Sequence, residues 1–293
     1  MTADERHVPP VLAHARQLLS GYDVVLSDVW GVLHDGFRAY ATACDALVRF
    51  RDQGGTVVLV SNAPVPAPRV AAMLDSRRVP REAWDDIVSS GEIALTHLTE
   101  KAYAAVHYVG PRDRDAAFFE RSTAKPASIE EADAVVCTGL VDDMTETAED
   151  YRPLLAQALA RQLPFVCVNP DLVVDVGGRL FPCAGAVADV YAQMGGEVFW
   201  AGKPYPAAYE TALAAAKRLR GKVVDRRRVM VIGDAVRTDI AGAAGQGLDA
   251  LFIAAGIHRH ETMDGDLINA SKIAELFKPG TPRAIAAMPV LTW

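Results

Sequence analysis

The sequence predicts an α/β fold built on a parallel sheet, and two observations lead to that prediction. Short apolar runs rich in valine and isoleucine end in polar residues or glycine and are followed by amphipathic stretches, the alternation typical of a parallel sheet and its crossover helices. Three of these runs end in a polar cluster, at Ser27-Asp28, Ser61-Asn62 and Gly233-Asp234. Ligands bind at the carboxyl ends of the strands in such sheets, so we expect the three clusters to converge on one crevice.

The predicted elements follow from the apolar pattern alone. Strands are predicted where branched or aromatic residues are consecutive: 22–28, 56–62, 105–110, 134–139, 198–201, 229–234 and 250–254. Helices are predicted where apolar residues recur every three or four positions: 41–51, 68–76, 92–100, 148–161, 205–219 and 238–246. Each polar cluster also fits the N-cap of the helix that follows, since Ser, Asp and Asn are favoured there, but three such clusters together favour a shared site.

Length and composition indicate a two-domain globular protein. The chain has 293 residues, of which 51% are hydrophobic and 23% charged, an ordinary balance for a folded protein longer than one average domain. The net charge of -7 and the lack of a lysine or arginine block argue against nucleic-acid binding. Arg226–Arg228 is the nearest exception, and we predict it to be a solvated turn.

The cysteines and the apolar runs bear on the compartment. Cys44, Cys137, Cys167 and Cys183 are far apart, without the C-x-x-C spacing of zinc or redox motifs, so we predict reduced thiols. The N-terminal residues 1–10 are polar and lack the apolar region of a secretory signal, and no stretch has the roughly 18 apolar residues of a membrane span. We therefore expect a cytoplasmic protein without a membrane partner.

A second alternation of strands and helices, between Ser90 and about Gly196, lies between the second and third polar clusters. This block predicts an inserted domain at residues 91–196, with residues 1–90 and 197–293 forming the core domain. Glycines near both edges are plausible hinges, although glycines also end helices.

The polar clusters carry the residue types that phosphoryl transfer requires: a nucleophile, a cation site and hydrogen-bond donors. Asp28 supplies a carboxylate that can attack phosphorus or bind a hard cation, and Asp234 supplies a second one. Two acids with backbone carbonyls and water suit Mg²⁺, which prefers octahedral oxygen ligands. Lys203, in the turn before a helix that begins with proline, can neutralise both a carboxylate and a bound phosphate. A lysine in a turn can also be merely solvated.

Four motifs in order make the chain resemble the haloacid dehalogenase superfamily, and within it subfamily IIA, the branch of para-nitrophenyl phosphatases and pyridoxal-phosphate phosphatase. The motifs span most of the chain: Asp28-Val-Trp-Gly-Val-Leu33, Val60-Ser61-Asn62, Gly202-Lys203-Pro204 and Gly233-Asp234-Ala-Val-Arg-Thr-Asp239-Ile240. The resemblance implies a Rossmann-like core with a parallel sheet and an inserted α/β cap of the C2 type. It also implies Mg²⁺ as cofactor and a small phosphorylated metabolite as substrate.

The same resemblance assigns roles to the motif residues. Asp28 would be the nucleophile that forms an aspartyl-phosphate, Ser61 and Asn62 would hold the phosphate, and Lys203 would orient it and balance charge. Asp28, the backbone carbonyl of Trp30 and Asp234 would bind the metal. Asp239 would complete the metal site as an outer partner that holds the loop.

Trp30 departs from the family pattern, which has a second aspartate there as general acid and base. An indole cannot exchange a proton with a leaving group or water at a useful pKa, so a contribution of about 100- to 10,000-fold is in question. Three explanations stay open. The substrates can have leaving groups that need little protonation, His34 or Asp35 can replace the acid, or the protein binds phosphorylated ligands in a regulatory role with weak or no turnover.

Two further readings were weighed. A nucleotide-dependent oxidoreductase would share the strand and helix alternation, but the glycines of 242–247 have the wrong spacing and lie at a helix end rather than after a strand. Specificity is expected to reside in the inserted block, and a homodimer is compatible with such a block. The sequence does not decide between monomer and dimer.

Overall fold

The protein is described from a computed structural model, which covers residues 8–293. Residues 1–7, on which part of the N-terminal prediction rests, lie outside the described residues. In chain order the strands are β1 (Val24–Ser27), β2 (Thr56–Ser61), β3 (Asp86–Ser89), β4 (Ala105–Val109), β5 (Lys125–Pro126), β6 (Ala134–Cys137), β7 (Phe165–Cys167), β8 (Val173–Val176), β9 (Arg179–Pro182), β10 (Val198–Trp200), β11 (Val229–Gly233), β12 (Asp249–Ile253), β13 (Met263–Asp264), β14 (Leu267–Ile268) and β15 (Ala286–Met288). The α-helices are α1 (Arg16–Leu19), α2 (Ala41–Asp52), α3 (Ala67–Ser76), α4 (Ser90–Lys101), α5 (Ala116–Arg121), α6 (Arg152–Ala160), α7 (Ala184–Gln193), α8 (Pro206–Arg220), α9 (Ala241–Gly245), α10 (Arg259–Thr262) and α11 (Ala270–Leu276).

The larger sheet has the strand order β15-β12-β11-β1-β2-β3. The pairings among β15, β12, β11, β1 and β2 are parallel. The apolar residues of β1 and β11 are buried along the whole strand, as expected when both faces of a parallel sheet are covered. Because β11, β1 and β2 are neighbours, the carboxyl ends after which Asp28 and Asp234 follow lie side by side, with Ser61 at the end of β2. The α/β prediction with a parallel sheet is confirmed.

The chain divides into two compact units. The first, here the core unit, comprises the described part of Met1–Ser61 together with Ala72–Ile87 and Tyr209–Trp293. The second, here the cap unit, comprises Asn62–Ala71 and Val88–Ala208. The division made from sequence at residues 91 and 196 stays a prediction.

The cap unit is itself an α/β structure. Its sheet has the order β10-β7-β6-β4-β5, and every adjacent pair is parallel. Aromatic and aliphatic residues of β6, β7, α6 and α7 form its core, with Phe165 and Tyr191 fully buried and their rings 5.4 Å apart. An antiparallel hairpin of β8 and β9 turns at two glycines, Gly177 and Gly178, which both have positive φ.

Several elements differ from the sequence prediction for identifiable reasons. The predicted helix 148–161 is a 3₁₀ turn at Ala148–Tyr151 followed by α6, because Pro153 has no N–H to donate and belongs in the first turn of a helix. The predicted helix 238–246 begins with a π-helical turn at Val236–Ile240. The prediction missed β3 and β7, since both are too short for a periodic pattern.

The side chains bear out the simpler expectations. All four cysteines are free thiols and buried. Arg226–Arg228 is an exposed 3₁₀ turn, as predicted, and Arg228 forms a two-pronged ion pair with Asp23. Within residues 8–293, none of the helices combines the length and apolar character needed to cross a membrane.

Candidate active site

Three carboxylates of the core unit form a compact acidic cluster. Asp28 follows β1, Asp234 follows β11, and Asp239 lies on the π-helical turn after β11. Each offers an oxygen within 4.8 Å of the others, and the residues are only 9%, 5% and 1% exposed, respectively. Like charges held this close are unfavourable without a cation, and an all-oxygen donor set suits a hard divalent ion. The donor chemistry therefore fits Mg²⁺.

The strand register brings the first two acids together. Ser27 is paired with Ile232 across β1 and β11, and the Asp28 N–H continues the ladder by donating to the Ile232 carbonyl at 2.8 Å. Each acid is thus the first residue beyond, or nearly beyond, a buried strand. The convergence that the sequence predicts for Asp28 and Asp234 is found in the fold of the core unit.

The Asp234 carboxylate is held between two glycines. A Cβ on Gly31 would lie 2.0 Å from Asp234 Oδ2, and a Cβ on Gly256 would lie 1.9 Å from the same oxygen. Gly31 also has a φ of +80°, which favours glycine. The Ile257 N–H donates to Oδ2 at 2.7 Å. The position of this oxygen is therefore fixed by backbone from two separate loops.

Asp239 supports the loop that carries Asp234. Its Oδ2 accepts a hydrogen bond from the Ala235 N–H at 3.1 Å, and its side chain packs where a Cβ on Gly233 would lie. Tyr209 backs the same turn, with its hydroxyl 3.2 Å from the Thr238 carbonyl. The contacts suit the role of an outer partner, and the direct or outer role of Asp239 stays a prediction.

The Trp30 side chain packs on its own loop. Its ring meets the His34 ring edge to face, with centroids 5.1 Å apart. A Cβ on Gly36 would lie 2.6 Å from the far edge of the indole, and Gly36 has a φ of +92°. The Gly31 N–H donates to the His34 carbonyl at 2.8 Å, which closes the turn. The loop therefore has a glycine and an imidazole where the indole needs space and a contact.

Neither candidate for a substitute acid is arranged to donate a proton. His34 is 2% exposed and its Nδ1 accepts from the Gly36 N–H at 2.9 Å. Burial, with the Arg77 guanidinium, lowers the pKa of His34 to about 4 despite the opposing charge of Asp35. For Asp35 itself burial acts to raise the pKa, but hydrogen bonds from the Arg38 and Phe37 N–H groups outweigh it and lower the pKa. Near neutral pH, His34 is uncharged and Asp35 ionised.

His34 should make the stability of the protein depend on pH. Its pKa is about 4 in the folded chain against 6.5 for a solvated histidine, so the unfolded chain binds the extra proton first. The stabilisation is complete above pH 6.5 and is lost as the pH falls towards 4. From the linkage relation, we expect this group to cost roughly 2 kcal/mol at pH 5 relative to pH 8.

Urea unfolding at the two pH values measures this effect, with His34→Asn as the comparison. The asparagine oxygen can still accept from the Gly36 N–H but does not titrate. The fall in unfolding free energy should be smaller in His34→Asn by the amount given above. Identical falls in both proteins would contradict the expectation.

In the cap unit, Asn62 holds the turn that carries Lys203. Asn62 Oδ1 accepts from the Lys203 N–H at 2.8 Å, and Nδ2 donates to the Lys203 carbonyl at 3.1 Å and to Asp171 Oδ1 at 2.9 Å. The Ser90 hydroxyl donates to the same Oδ1 at 3.3 Å. Gly202 leaves space for this arrangement, since its Cβ would lie 2.1 Å from Ser90 Oγ. Lys203 is 3% exposed, so it is not a solvated lysine in a loop.

Sequence reasoning missed Gly256, Ile257 and Ser90 and left Asp171 without a role. Gly256 follows β12 after two alanines, and this run of small residues beyond an apolar strand is the signal that could have marked a close backbone approach. Ser90 and Asp171 gave no comparable signal, because their contacts with Asn62 join residues distant in sequence. The roles of Ser61, Asn62 and Lys203 in binding phosphate stay predictions.

Two family models match the chain. One is described as haloacid dehalogenase-like hydrolase and matches residues 25–122, and the other is described as HAD-hydrolase-like and matches residues 200–278. The matched segments contain the Asp28 loop and the Lys203 and Asp234 loops. The acidic cluster is thus drawn from both segments.

Known proteins resemble the chain over most of its length. The crystal structure of a hydrolase of the haloacid dehalogenase-like family from Brucella suis 1330 is 40% identical, with 97% of this chain and 100% of that chain covered and a TM-score of 0.83. A 5'-nucleotidase of Bacillus subtilis is 25% identical over 248 residues, which cover 84% of this chain and 92% of the relative. The structure of a glycerol phosphate phosphatase from Mycobacterium tuberculosis in complex with magnesium is 25% identical, with 82% and 70% of the two chains covered and a TM-score of 0.62.

Proposed function

The chain belongs to the haloacid dehalogenase-like family of hydrolases, and from this premise we propose that it is a magnesium-dependent phosphatase of small phosphorylated metabolites. The observation that carries the proposal is the cluster of Asp28, Asp234 and Asp239, with oxygens within 4.8 Å of one another. The names of two relatives, a 5'-nucleotidase and a glycerol phosphate phosphatase with magnesium, support a small phosphomonoester and this metal.

Asp28, Asp234 and the backbone carbonyl of Trp30 would hold Mg²⁺, with Asp239 supporting the loop. The ion would supply positive charge for the phosphate oxygens and for the clustered carboxylates. Ile257 contributes by fixing one oxygen of Asp234 through its N–H. The protein would thereby keep the acidic residues in place before the ion binds.

Asp28 would perform the chemistry. One carboxylate oxygen attacks phosphorus to form an aspartyl-phosphate while the bond to the leaving oxygen breaks, and water then hydrolyses this intermediate and restores the carboxylate. Ser61 would donate to the phosphate, and Lys203 would balance its charge. Asn62 would act with them by fixing the Lys203 backbone, as its contacts support.

The proposal is tested with the purified chain, magnesium and a panel of small phosphate esters. We expect phosphate release that chelation abolishes and added Mg²⁺ restores, because clustered carboxylates without a cation repel an anionic substrate. The matched control is the same assay with a magnesium-independent phosphatase, which chelation should leave active. Release that persists at full rate in excess chelator would contradict metal dependence, and no release from any ester would contradict the phosphatase.

A second candidate follows from Trp30, which stands where the family has its general acid. A protein that binds phosphorylated ligands in a regulatory role would keep the metal cluster and dispense with the acid. It predicts a ligand that raises the Tm in the presence of magnesium by mass action and is recovered unchanged. Recovery of hydrolysed product with wild-type protein, but not with Asp28→Asn, decides for the enzyme.

A further inference from the structure

The loop that follows Asp28 is built around an indole rather than around an acid. Trp30 packs between the His34 ring and the Cα of Gly36, and Gly36 has both a positive φ and no space for a Cβ. A side chain with this much dedicated packing is an integral part of the loop. The question it raises rests on the proposed function: how a leaving group departs from phosphorus when the loop offers no carboxylic acid at this position.

The other polar side chains of this loop are committed to structural contacts. The imidazole of His34 is buried and uses Nδ1 to accept from the Gly36 N–H. The carboxylate of Asp35 accepts from the N–H groups of Phe37 and Arg38, each at 2.9 Å. The Tyr40 phenol is a weaker acid than usual, because burial raises its pKa. In the described loop 28–40, each of these groups is therefore a poor proton donor.

A missing acid affects substrates unequally. When the bond between phosphorus and the leaving oxygen breaks, that oxygen takes the electron pair. A carboxylate, enolate, phenolate or phosphate is stable with that charge, whereas a simple alkoxide needs a proton as it leaves. A general acid contributes about 100- to 10,000-fold for leaving groups of the second kind and little for the first.

We propose that the substrates of this protein are phosphorylated compounds with acidic leaving groups, such as acyl, enol or aryl phosphates, rather than phosphate esters of simple alcohols. The Asp28 oxygen forms its bond to phosphorus as the leaving group departs as an anion with the electron pair. Water then attacks the aspartyl-phosphate, the bond from phosphorus to Asp28 breaks, and the proton of the water stays with the released phosphate. No other reactant is needed.

The same loop predicts a slow second step. The family's acid also serves as base towards the attacking water, and an indole cannot take that proton. Hydrolysis of the aspartyl-phosphate should then limit turnover. With an aryl phosphate, about one equivalent of phenol per active site should be released in a burst before the steady state.

Matched substrate pairs test the proposal. Acetyl phosphate and ethyl phosphate are similar in size but differ greatly in leaving-group acidity, and 4-nitrophenyl and 4-methylphenyl phosphate form a second such pair. We expect wild-type kcat/KM to be at least about a hundredfold lower for ethyl than for acetyl phosphate, from the contribution of the missing acid. The aryl pair should show the same direction.

The variant Trp30→Asp restores a carboxyl group and should raise kcat/KM for ethyl phosphate far more than for acetyl phosphate, while it shortens or removes the burst. Trp30→Phe removes the indole without adding an acid, so it should keep the steep difference between the two substrates. If Trp30→Asp does not fold, as judged by circular dichroism, the wild-type pairs decide alone.

Ethyl phosphate hydrolysed within about tenfold of acetyl phosphate by the wild-type chain would overturn the proposal, because a proton donor would then be at work. That result would leave the phosphatase itself intact. If no member of either pair gives phosphate release that depends on Asp28, the proposed function fails instead. The two failures are thus distinguished by the same set of assays.

Discussion

Replacing Asp28 with Asn is expected to lower phosphate release by about a thousandfold or more, since removal of a covalent nucleophile has effects of this size or larger. The carboxamide has nearly the size of the carboxylate, so the backbone hydrogen bond from Asp28 to Ile232 should persist. Acid-quenched wild-type protein incubated with labelled acetyl phosphate should carry label that hydroxylamine removes, as expected of an acyl phosphate, and Asp28→Asn should carry none.

The same substitution removes one of three clustered negative charges. In the presence of chelator, Asp28→Asn should therefore have a higher Tm than the wild type, and its gain in Tm on adding magnesium should be smaller. Asp45→Asn is the matched control, because Asp45 is half exposed and only pairs with Arg49 one helical turn away. We expect wild-type activity from the control, and substantial turnover by Asp28→Asn would refute the role of nucleophile.

Gly31→Ala should damage the metal site from the side of the backbone. The new Cβ would lie 2.0 Å from Asp234 Oδ2, and Gly256 and the Ile257 N–H prevent that oxygen from moving away freely. We expect the magnesium concentration for half-maximal activity to rise at least about tenfold and kcat/KM to fall by about a hundredfold, as when support of a metal ligand is lost. Titrations of activity and of Tm with magnesium measure both effects.

Gly54→Ala separates this clash from backbone strain. Gly54 has a φ of +86°, close to that of Gly31, but no atom lies within 4 Å of its Cβ position. Both variants should lose about 1 kcal/mol of stability from the unfavourable φ. Only Gly31→Ala should need more magnesium, and an equal change in both variants would mean that strain alone is responsible.

Much of the core unit could be predicted from sequence because its strands are uniformly apolar and end abruptly. The run that predicted a strand at 229–234 corresponds to Val229–Gly233, and the acid that follows is where the sequence placed it. The same holds for β1 and Asp28. The family prediction from four ordered motifs is confirmed by the 40% identical hydrolase of the haloacid dehalogenase-like family.

The remainder depends on contacts between distant residues, which a single sequence does not encode visibly. The N–H of Ile257 and the space at Gly256 complete the setting of Asp234 from 23 residues further along the chain. The hairpin of β8 and β9 is exposed on most of its length, so no burial pattern marked it. In the π-helical turn at Val236–Ile240, a local change of helical pitch is set by packing of Asp239 and Tyr209 rather than by propensity.

The distribution of thiols gives the two units separate chemical reporters. Cys44 lies in the core unit, whereas Cys137, Cys167 and Cys183 lie in the cap unit, and burial raises the pKa of each. A buried thiol with a raised pKa reacts with alkylating reagents only when its surroundings open. Mass-spectrometric labelling of the native protein would consequently time the opening of each unit on its own, without an introduced probe.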